Sequence, residues 1–226
     1  MDPHVLNLLN AARRNRVAVC ALTDLGDGRD RAVREGDNVP GALGDAVRET
    51  LRAGTARTVE IEGREFFLNP HIPAPRLVVI GAVHITQSLA PMARMAGFDV
   101  LVIDPRGAFA TPERFEATEL LAEWPDEAMA RRPLDRHTAL AAVTHDPKID
   151  DGPLLAALRA KCFYVGALGS RKTHAARRSR LLDAGATDGM LDRIEAPIGL
   201  DIGAATPAEI AVAVLGSLIA ARRRPQ

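Results

Sequence analysis

Residues 76–106, RLVVIGAVHITQSLAPMARMAGFDVLVIDPR, decide the fold of this chain. An apolar run stops at Gly81, a helical pattern follows, and a second apolar run ends on Asp104. This order predicts a parallel βαβ unit, which directs the helix N-terminus and the Asp104 carboxylate to one edge of a sheet. Backbone amides suit phosphate and a carboxylate suits ribose hydroxyls, so the unit indicates a nucleotide-like ligand. The alternative is an α/β turn that binds nothing.

The glycine pattern of this turn departs from the dinucleotide fingerprint. A dinucleotide-binding turn reads G-x-G-x-x-G, and Val83 occupies the place of the second glycine. A β-branched side chain obstructs a pyrophosphate there and resists a positive φ. The pattern therefore predicts the fold but argues against ordinary NAD binding.

The composition excludes several classes of protein. A chain of 226 residues suits one large or two small domains, and its 29 basic and 29 acidic residues create no net field for nucleic acid or a membrane surface. No apolar run approaches the roughly 18 residues of a membrane-spanning helix, and the start lacks the order of a secretion signal. Cys20 and Cys162 lie in apolar runs and are expected to be buried and reduced. We therefore expect a cytoplasmic protein with no transmembrane segment and no nucleic-acid partner.

Residues 1–70 predict a small α+β domain. The pattern indicates a helix over 5–14, a strand over 17–22, a long loop over 23–39, a helix over 42–52 closed by Gly54, and a hairpin over 57–68 that turns at Glu62-Gly63. Three prolines in NPHIPAPR (69–76) predict a stiff connector after it, because proline fixes φ and cannot continue a β-ladder.

Residues 76–226 alternate strand and helix patterns and predict a Rossmann-like domain. Strands are expected at 76–82, 99–104, 116–121, 138–144 and 162–167, and helices at 84–96, 126–131, 152–160, 171–184 and 207–222. Strands separated by helices imply right-handed crossovers in a parallel sheet. The expected fold class is therefore α/β, a Rossmann-like parallel sheet with helices on both faces, preceded by the small α+β domain.

Ligands of such sheets bind beyond the carboxyl ends of the strands, so the polar residues at those ends are the candidate site. They are Gly81, His84, Asp104, Arg106, His145, Asp146, Gly169, Ser170, Arg171 and Lys172. Adjacent loop residues such as His145 and Asp146 rarely face one ion, so no metal site is predicted. The sequence shows no Ser-His-Asp or Cys-His arrangement, so no catalytic residue is predicted either.

The segment GALGSRKTH (166–174) is a glycine-rich turn that leads into a helix. Arg171 and Lys172 lie in the first helical turn, where cations are disfavoured unless an anion is present. We therefore expect a phosphate on the amides of Gly169 and Ser170. The alternative is a solvated basic turn.

Five motifs, in order, resemble the C-terminal Rossmann domain of the XdhC/CoxI family over residues 76–222. They are GAVH, IDPR, THDPKIDD, FYVGALGSRKTHAARR and RIEAPIGLDIGAATPAEIA. Members of this family are accessory proteins of molybdenum hydroxylases such as xanthine dehydrogenase and carbon monoxide dehydrogenase. The resemblance implies a non-catalytic maturation factor that binds the molybdenum cofactor, a pterin phosphate or its nucleotide form. Such a factor assists sulfuration of the cofactor, protects it and hands it to the apo-hydroxylase.

Two departures from the family shape these expectations. The usual second glycine of the turn is Val83, which moves the expected phosphate contact to Gly169, Ser170 and Arg171. Asp104 is expected to accept hydrogen bonds from ligand hydroxyls or pterin nitrogens.

The second departure concerns sulfur chemistry. The family's N-terminal domain carries an SGGC-type segment, and the nearest match here, DNVPGALGDAVRE (37–49), has no cysteine. We therefore expect a cysteine desulfurase or a paralogous accessory protein to supply any persulfide. Two alternatives stay open: an NAD(P)-dependent oxidoreductase or other nucleotide-binding protein of the same fold, and a scaffold that contacts the hydroxylase with an empty cleft. A homodimer also stays open.

Overall fold

The structure is a computed structural model that describes residues 2–223, so the last three residues of the predicted Rossmann domain lie outside the described residues. The chain divides into two compact units, Met1–Pro73 and Ala74–Gln226. No helix within 2–223 has both the length and the hydropathy to cross a membrane.

The first unit is a four-stranded antiparallel sheet of order β2-β1-β4-β3 with two helices. Its elements are α1 (Pro3–Arg14), β1 (Val19–Asp24), β2 (Asp30–Arg34), α2 (Gly41–Ala53), β3 (Arg57–Ile61) and β4 (Arg64–His71). Val19 and Ala21 pack with α1, whereas Cys20 and Leu22 pack with α2. Successive strand residues point to opposite faces, so the two helices cover opposite faces of the sheet.

Two expectations for the first unit are wrong. The segment 23–39 is not a continuous loop, because β2 pairs along β1. Its residues are charged and partly exposed, so this edge strand lacks the apolar alternation of a half-buried strand. The connector 69–76 is also shorter than expected, since β4 continues through Pro70, which pairs with Cys20. The pairing of β4 with β3 extends only as far as Leu68, so Pro70 lies on a part of β4 that β3 does not pair with. Proline has no amide hydrogen to donate and is tolerated at such a position.

The predicted hairpin is confirmed. Glu62 and Gly63 join β3 to β4 with φ of 52° and 75°. Two consecutive positive φ values are those of a two-residue turn whose twist matches the flanking strands.

The second unit is a six-stranded parallel sheet of order β10-β9-β8-β5-β6-β7. Its elements are β5 (Arg76–Ile80), α3 (His84–Met95), β6 (Asp99–Ile103), a 3₁₀ turn (Pro112–Arg114), β7 (Glu119–Leu121), α4 (Pro125–Arg131), β8 (Thr138–Ala142), α5 (Pro147–Arg159), β9 (Tyr164–Ala167), α6 (Arg171–Asp183), α7 (Asp188–Leu191), β10 (Ile194–Glu195) and α8 (Pro207–Arg223). Counted from β5, this is the strand order of a doubly wound dinucleotide fold. The expected fold class is therefore confirmed.

Apolar side chains cover both faces of this sheet. One cluster joins the sheet to α3 and α8, and the other joins it to α4, α5, α6 and α7. Every residue of β5 and of β8 is buried, as expected for the central strands of a parallel sheet.

Three details of the second unit differ from expectation. Helix α5 begins at Pro147 and not near residue 152, because Asp146 caps it and the proline occupies its first turn. The short elements α7 and β10 were not expected at all. They span only four and two residues, which is too short for a periodic signal.

Candidate functional site

The central strands β5 and β8 form the switch point of the sheet, where successive connections leave in opposite directions. In folds of this kind the ligand crevice lies at that point, and we call this edge of the sheet the switch-point crevice. The ten candidate residues lie at the carboxyl ends of β5, β6, β8 and β9, which are neighbours in the sheet. The structure thus brings all of them to one edge of the second unit.

Gly81 ends β5 at the base of this crevice. Its φ is 120°, and a Cβ added there would lie 2.9 Å from Cγ2 of Thr144, in the loop after β8. A side chain is therefore excluded both by the backbone conformation and by the close approach of the two loops. Thr86 secures the same turn, since its Oγ1 donates to the Gly81 carbonyl at 2.6 Å.

The turn does not require at Val83 the positive φ that a β-branched residue resists. Val83 is the N-cap residue of α3 with φ −97° and ψ 175°, an extended conformation that suits a β-branched residue. Its side chain packs against the apolar cluster under α3. Among residues 2–223, α3 has no side-chain cap hydrogen bond at its N-cap, so its first-turn amides lack a capping partner there, and His84 beside them is exposed.

Asp104 is fully buried and its carboxylate is held by protein groups. Oδ2 accepts from the Ala82 amide at 2.8 Å and from Arg106 Nη2 at 2.8 Å, while Oδ1 accepts from Arg106 Nε at 2.9 Å and from its amide at 3.0 Å. Burial raises the pKa of Asp104, but these hydrogen bonds outweigh it and the pKa is lowered overall. The ionised carboxylate therefore ties the tip of β5 to the tip of β6.

Arg106 is the charged group that the β6 tip presents to solvent, with 33% of its side chain exposed. Its guanidinium carbon lies 4.5 Å from the ring centroid of Phe109. Hydrogen bonding to Asp104 raises the pKa of Arg106, and the charges of Asp104, Asp150 and Asp146 raise it further. Since Asp146 and Asp150 follow β8, the negative charge of the β8 loop acts on Arg106 at the tip of β6.

The loop after β8 is built around Asp150, which is fully buried. Thr144 Oγ1 donates to Oδ1 of Asp150 at 2.8 Å, and the His145 amide donates to Oδ2 at 3.1 Å. Burial raises the pKa of Asp150 to about 6. The side chain of Asp146 accepts from the Lys148 amide at 2.9 Å and so caps α5. His145 has a φ of 66° and an exposed side chain, so it faces solvent at the rim.

The turn after β9 differs from the α3 turn because its helix is capped. Ser170 Oγ accepts from the Thr173 amide at 3.2 Å, and Gly169 before it has a φ of 130°. Arg171 and Lys172 are exposed in the first turn of α6. They carry positive charge at this edge without an acidic partner in the first turn.

Two residues near the strand tips were not expected from the sequence. One is Asp150, a fully buried carboxylate in the first turn of α5, where its neighbours Lys148 and Gly152 are exposed and nothing in the sequence marks it as buried. The other is Arg177, which is 2% exposed and donates from Nη2 to the Leu168 carbonyl at 2.9 Å. Its Nε and Nη1 have no hydrogen-bond partner among residues 2–223. The charge of Arg177 lowers the pKa of Asp150 against the larger effect of burial.

Neither cysteine is placed for sulfur chemistry. Both are fully buried, and burial raises the pKa of Cys20 to about 11 and that of Cys162 to about 12. A thiol with such a pKa is almost entirely protonated near neutral pH. Within the part of the chain that the structure describes, no three His, Cys, Asp or Glu residues are grouped to hold a metal ion.

A family model described as the XdhC Rossmann domain matches residues 77–218. Over 153 residues the chain is 33% identical to a probable xanthine dehydrogenase subunit of Bacillus subtilis, covering 67% of this chain and 44% of that protein. Over 150 residues it is 29% identical to the molybdenum cofactor insertion chaperone PaoD of Escherichia coli, covering 66% and 41%. The chain thus spans less than half the length of these two relatives.

A solved structure shares the fold. It is a crystal structure described as a xanthine dehydrogenase from Bacillus halodurans, with a TM-score of 0.65 and 23% sequence identity. The similarity covers 99% of this chain and 64% of that one. At this identity the similarity supports the architecture alone.

Proposed function

This chain belongs to the XdhC family, and from that premise we propose that it binds the molybdenum cofactor in the switch-point crevice and delivers it to an apo-hydroxylase. The names of its relatives support an accessory role beside a molybdenum enzyme. Binding of the cofactor, its delivery and the identity of the client are our proposal for this chain.

The observation that carries the proposal is the uncapped N-terminus of α3 beside Arg106. Free first-turn amides and the positive end of the helix dipole attract a phosphate, and a guanidinium adds charge-assisted hydrogen bonds. Gly81 keeps the turn free of a Cβ, and Asp104 fixes the position of Arg106. This donor set fits the phosphate group of a pterin phosphate.

The remaining candidate residues lie around that anchor. The exposed cations Arg171 and Lys172 would draw in the anionic ligand and contact its far side, while His84 and His145 would border the mouth. Asp146 and Ser170 act through the helices that they cap. When bound, the cofactor supplies the redox-active molybdenum that the client hydroxylase needs. The residues of this chain only hold and orient it.

Sulfuration is left to another protein in this proposal. The two buried, protonated thiols give this chain no group that could carry a persulfide. A cysteine desulfurase or a paralogous accessory protein would deliver sulfur to the cofactor. This chain would retain the cofactor and pass it on.

The test adds a carboxylate at the α3 N-terminus. In Val83→Asp, the new N-cap side chain would satisfy the open amides, a favourable contribution of about 1 kcal/mol, and repel a phosphate. We expect protein purified from a cofactor-producing host to retain molybdenum and pterin. The variant Val83→Asp should retain at least tenfold less of each per protein than the unaltered chain. Metal analysis and fluorescence of the oxidised pterin measure the two.

The matched control is Val212→Asp, the same substitution at a half-exposed position of α8. It should fold and retain the cofactor as the original chain does. Equal retention by Val83→Asp and Val212→Asp would reject the α3 anchor. Retention of neither molybdenum nor pterin by the unaltered protein would reject the proposed function.

A further inference from the structure

The ligand of this crevice carries a phosphate under the proposed function, and the structure adds a feature beside the phosphate anchor. We propose that Arg106 and Phe109 form a stacking ledge for a planar heterocycle. The crevice would then select a nucleoside phosphate over a sugar phosphate that lacks a base. This inference rests on the proposed function and specifies the class of ligand.

The guanidinium of the ledge is held in one orientation. Arg106 donates from Nε to Oδ1 and from Nη2 to Oδ2 of Asp104, so both carboxylate oxygens fix its plane. Asp104 is itself fully buried and bonded to the Ala82 amide. A planar cation that is already ordered loses little conformational freedom when a ring stacks on it.

The aromatic half of the ledge is also held by the backbone around it. The Phe109 amide donates to the Arg106 carbonyl at 2.9 Å, and Arg114 Nη1 donates to the Phe109 carbonyl at 2.8 Å. Arg114 is fixed in turn by Gln87 of α3, whose Oε1 accepts from Nη2 at 3.0 Å. Phe109 as a residue is nevertheless 40% exposed, which leaves surface available to a ligand.

The ledge lies next to the proposed phosphate anchor. Oδ2 of Asp104 accepts from both Arg106 Nη2 and the Ala82 amide, so a single carboxylate oxygen links the ledge to the turn that begins α3. A phosphate held at α3 would therefore leave its attached base within reach of Arg106 and Phe109. Stacking of a base on an aromatic ring or a guanidinium is worth about tenfold in affinity.

A planar ring could belong to a nucleobase or to the pterin itself, and titration calorimetry of the full chain separates the two. The probes are GMP, CMP, a pterin monophosphate and ribose 5-phosphate. We expect GMP and CMP to bind about tenfold more tightly than ribose 5-phosphate. Phe109→Leu and Arg106→Lys should each bind GMP no more tightly than the same variant binds ribose 5-phosphate, because the comparison within one variant removes any change in the phosphate contact of residue 106. Leu keeps apolar bulk without a ring, and Lys keeps charge without a plane.

The matched control is Phe67→Leu in the first unit, at a residue that is 38% exposed, and it should leave all four affinities unchanged. Equal binding of GMP and ribose 5-phosphate by the unaltered chain would overturn the ledge and leave the phosphate anchor intact. If Phe109→Leu and Arg106→Lys both fold and still prefer GMP to ribose 5-phosphate, the ledge is also overturned and the phosphate anchor stays intact. Preference for the pterin monophosphate alone would assign the ledge to the pterin and overturn nucleotide selection. Absence of binding by every probe would overturn the ledge and the anchor together.

Discussion

At the scale of single residues, the crevice is organised by buried carboxylates that serve other protein groups. Asp104 orients Arg106 and the α3 turn, and Asp150 orients the loop after β8. Their environments differ, because a guanidinium in direct contact compensates Asp104 whereas Asp150 receives only neutral donors in its hydrogen bonds. One carboxylate is therefore firmly ionised, and the other titrates close to the physiological range.

Asp150 makes the stability of the protein depend on pH. Burial raises its pKa from an ordinary 3.8 to about 6, so the folded state binds a proton more tightly than the unfolded state. The stabilising effect is fully present below about pH 4 and is lost as the pH rises through about 6, a change of about 2 to 3 kcal/mol. Arg177 and Arg106 are the cations that act on this carboxyl, and both partly oppose the shift.

The test is Asp150→Asn, which removes the titration and keeps a polar group of the same shape. As the pH is raised from 4 to 7, we expect the urea concentration at the unfolding midpoint to decrease for the unaltered chain relative to that of Asp150→Asn. Thermal or urea unfolding at several pH values measures this difference. Parallel pH profiles for the two proteins would show that Asp150 does not titrate in this range.

Much of the site could be anticipated residue by residue, because the carboxyl ends of parallel strands are readable from apolar runs that stop at polar residues. The partners of those residues could not. The hydrogen bond from Ala82 to Asp104 joins groups 22 positions apart, and nothing local indicates that Arg106 will take both carboxylate oxygens. Likewise, the inward packing of Val83 depends on the cluster under α3, which forms only when the sheet assembles.

At the scale of elements, three helices direct their N-termini to the edge of the sheet that carries the candidate residues, and these helices differ in capping. Asp146 caps α5 and Ser170 caps α6, whereas α3 has no side-chain cap. A motif-based expectation favoured α6 because of its glycines and cations. The capping pattern leads us to propose α3 instead, since an anion gains most where the amides have no other partner.

The carboxylate of Glu195 joins three elements, β9, β10 and α8, through hydrogen bonds. It accepts from Tyr164 Oη at 2.7 Å, from the Gly199 amide at 2.6 Å and from Ser217 Oγ. Glu195→Gln leaves only one oxygen to accept, so we expect a loss of about 1 to 3 kcal/mol in the free energy of unfolding. Faster hydrogen exchange of the Gly199 amide should accompany it.

The control for this change is Glu116→Gln, at an exposed position outside the network. Its effect on stability should stay within about 0.5 kcal/mol. If Glu195→Gln and Glu116→Gln unfold at the same denaturant concentration, the network does not hold these elements together.

At the scale of the whole molecule, each of the two units has its own sheet and its own apolar clusters. The family match and all ten candidate residues fall in the second unit. We therefore predict that a fragment of residues 74–226 folds on its own and keeps the ligand affinity of the full chain. Cooperative urea unfolding and calorimetry with GMP test both statements. A fragment that folds but loses GMP affinity would assign part of the site to the first unit.

The doubly wound sheet and the family could be predicted from the sequence, because apolar runs, turn glycines and helix starts are local signals that agree with one another along residues 76–222. The sequence could not reveal β2, whose charged residues are strand only because β1 lies beside them. The assembled fold was needed to show that α3, unlike α5 and α6, has no side-chain cap among the described residues and that Arg106 keeps part of its side chain exposed. The physical reason is that the tips of neighbouring strands meet only when the sheet assembles. The Ala82 amide then reaches the Asp104 carboxylate, 22 positions along the chain, and this contact fixes the place of a carboxylate whose other partner, Arg106, is close in sequence.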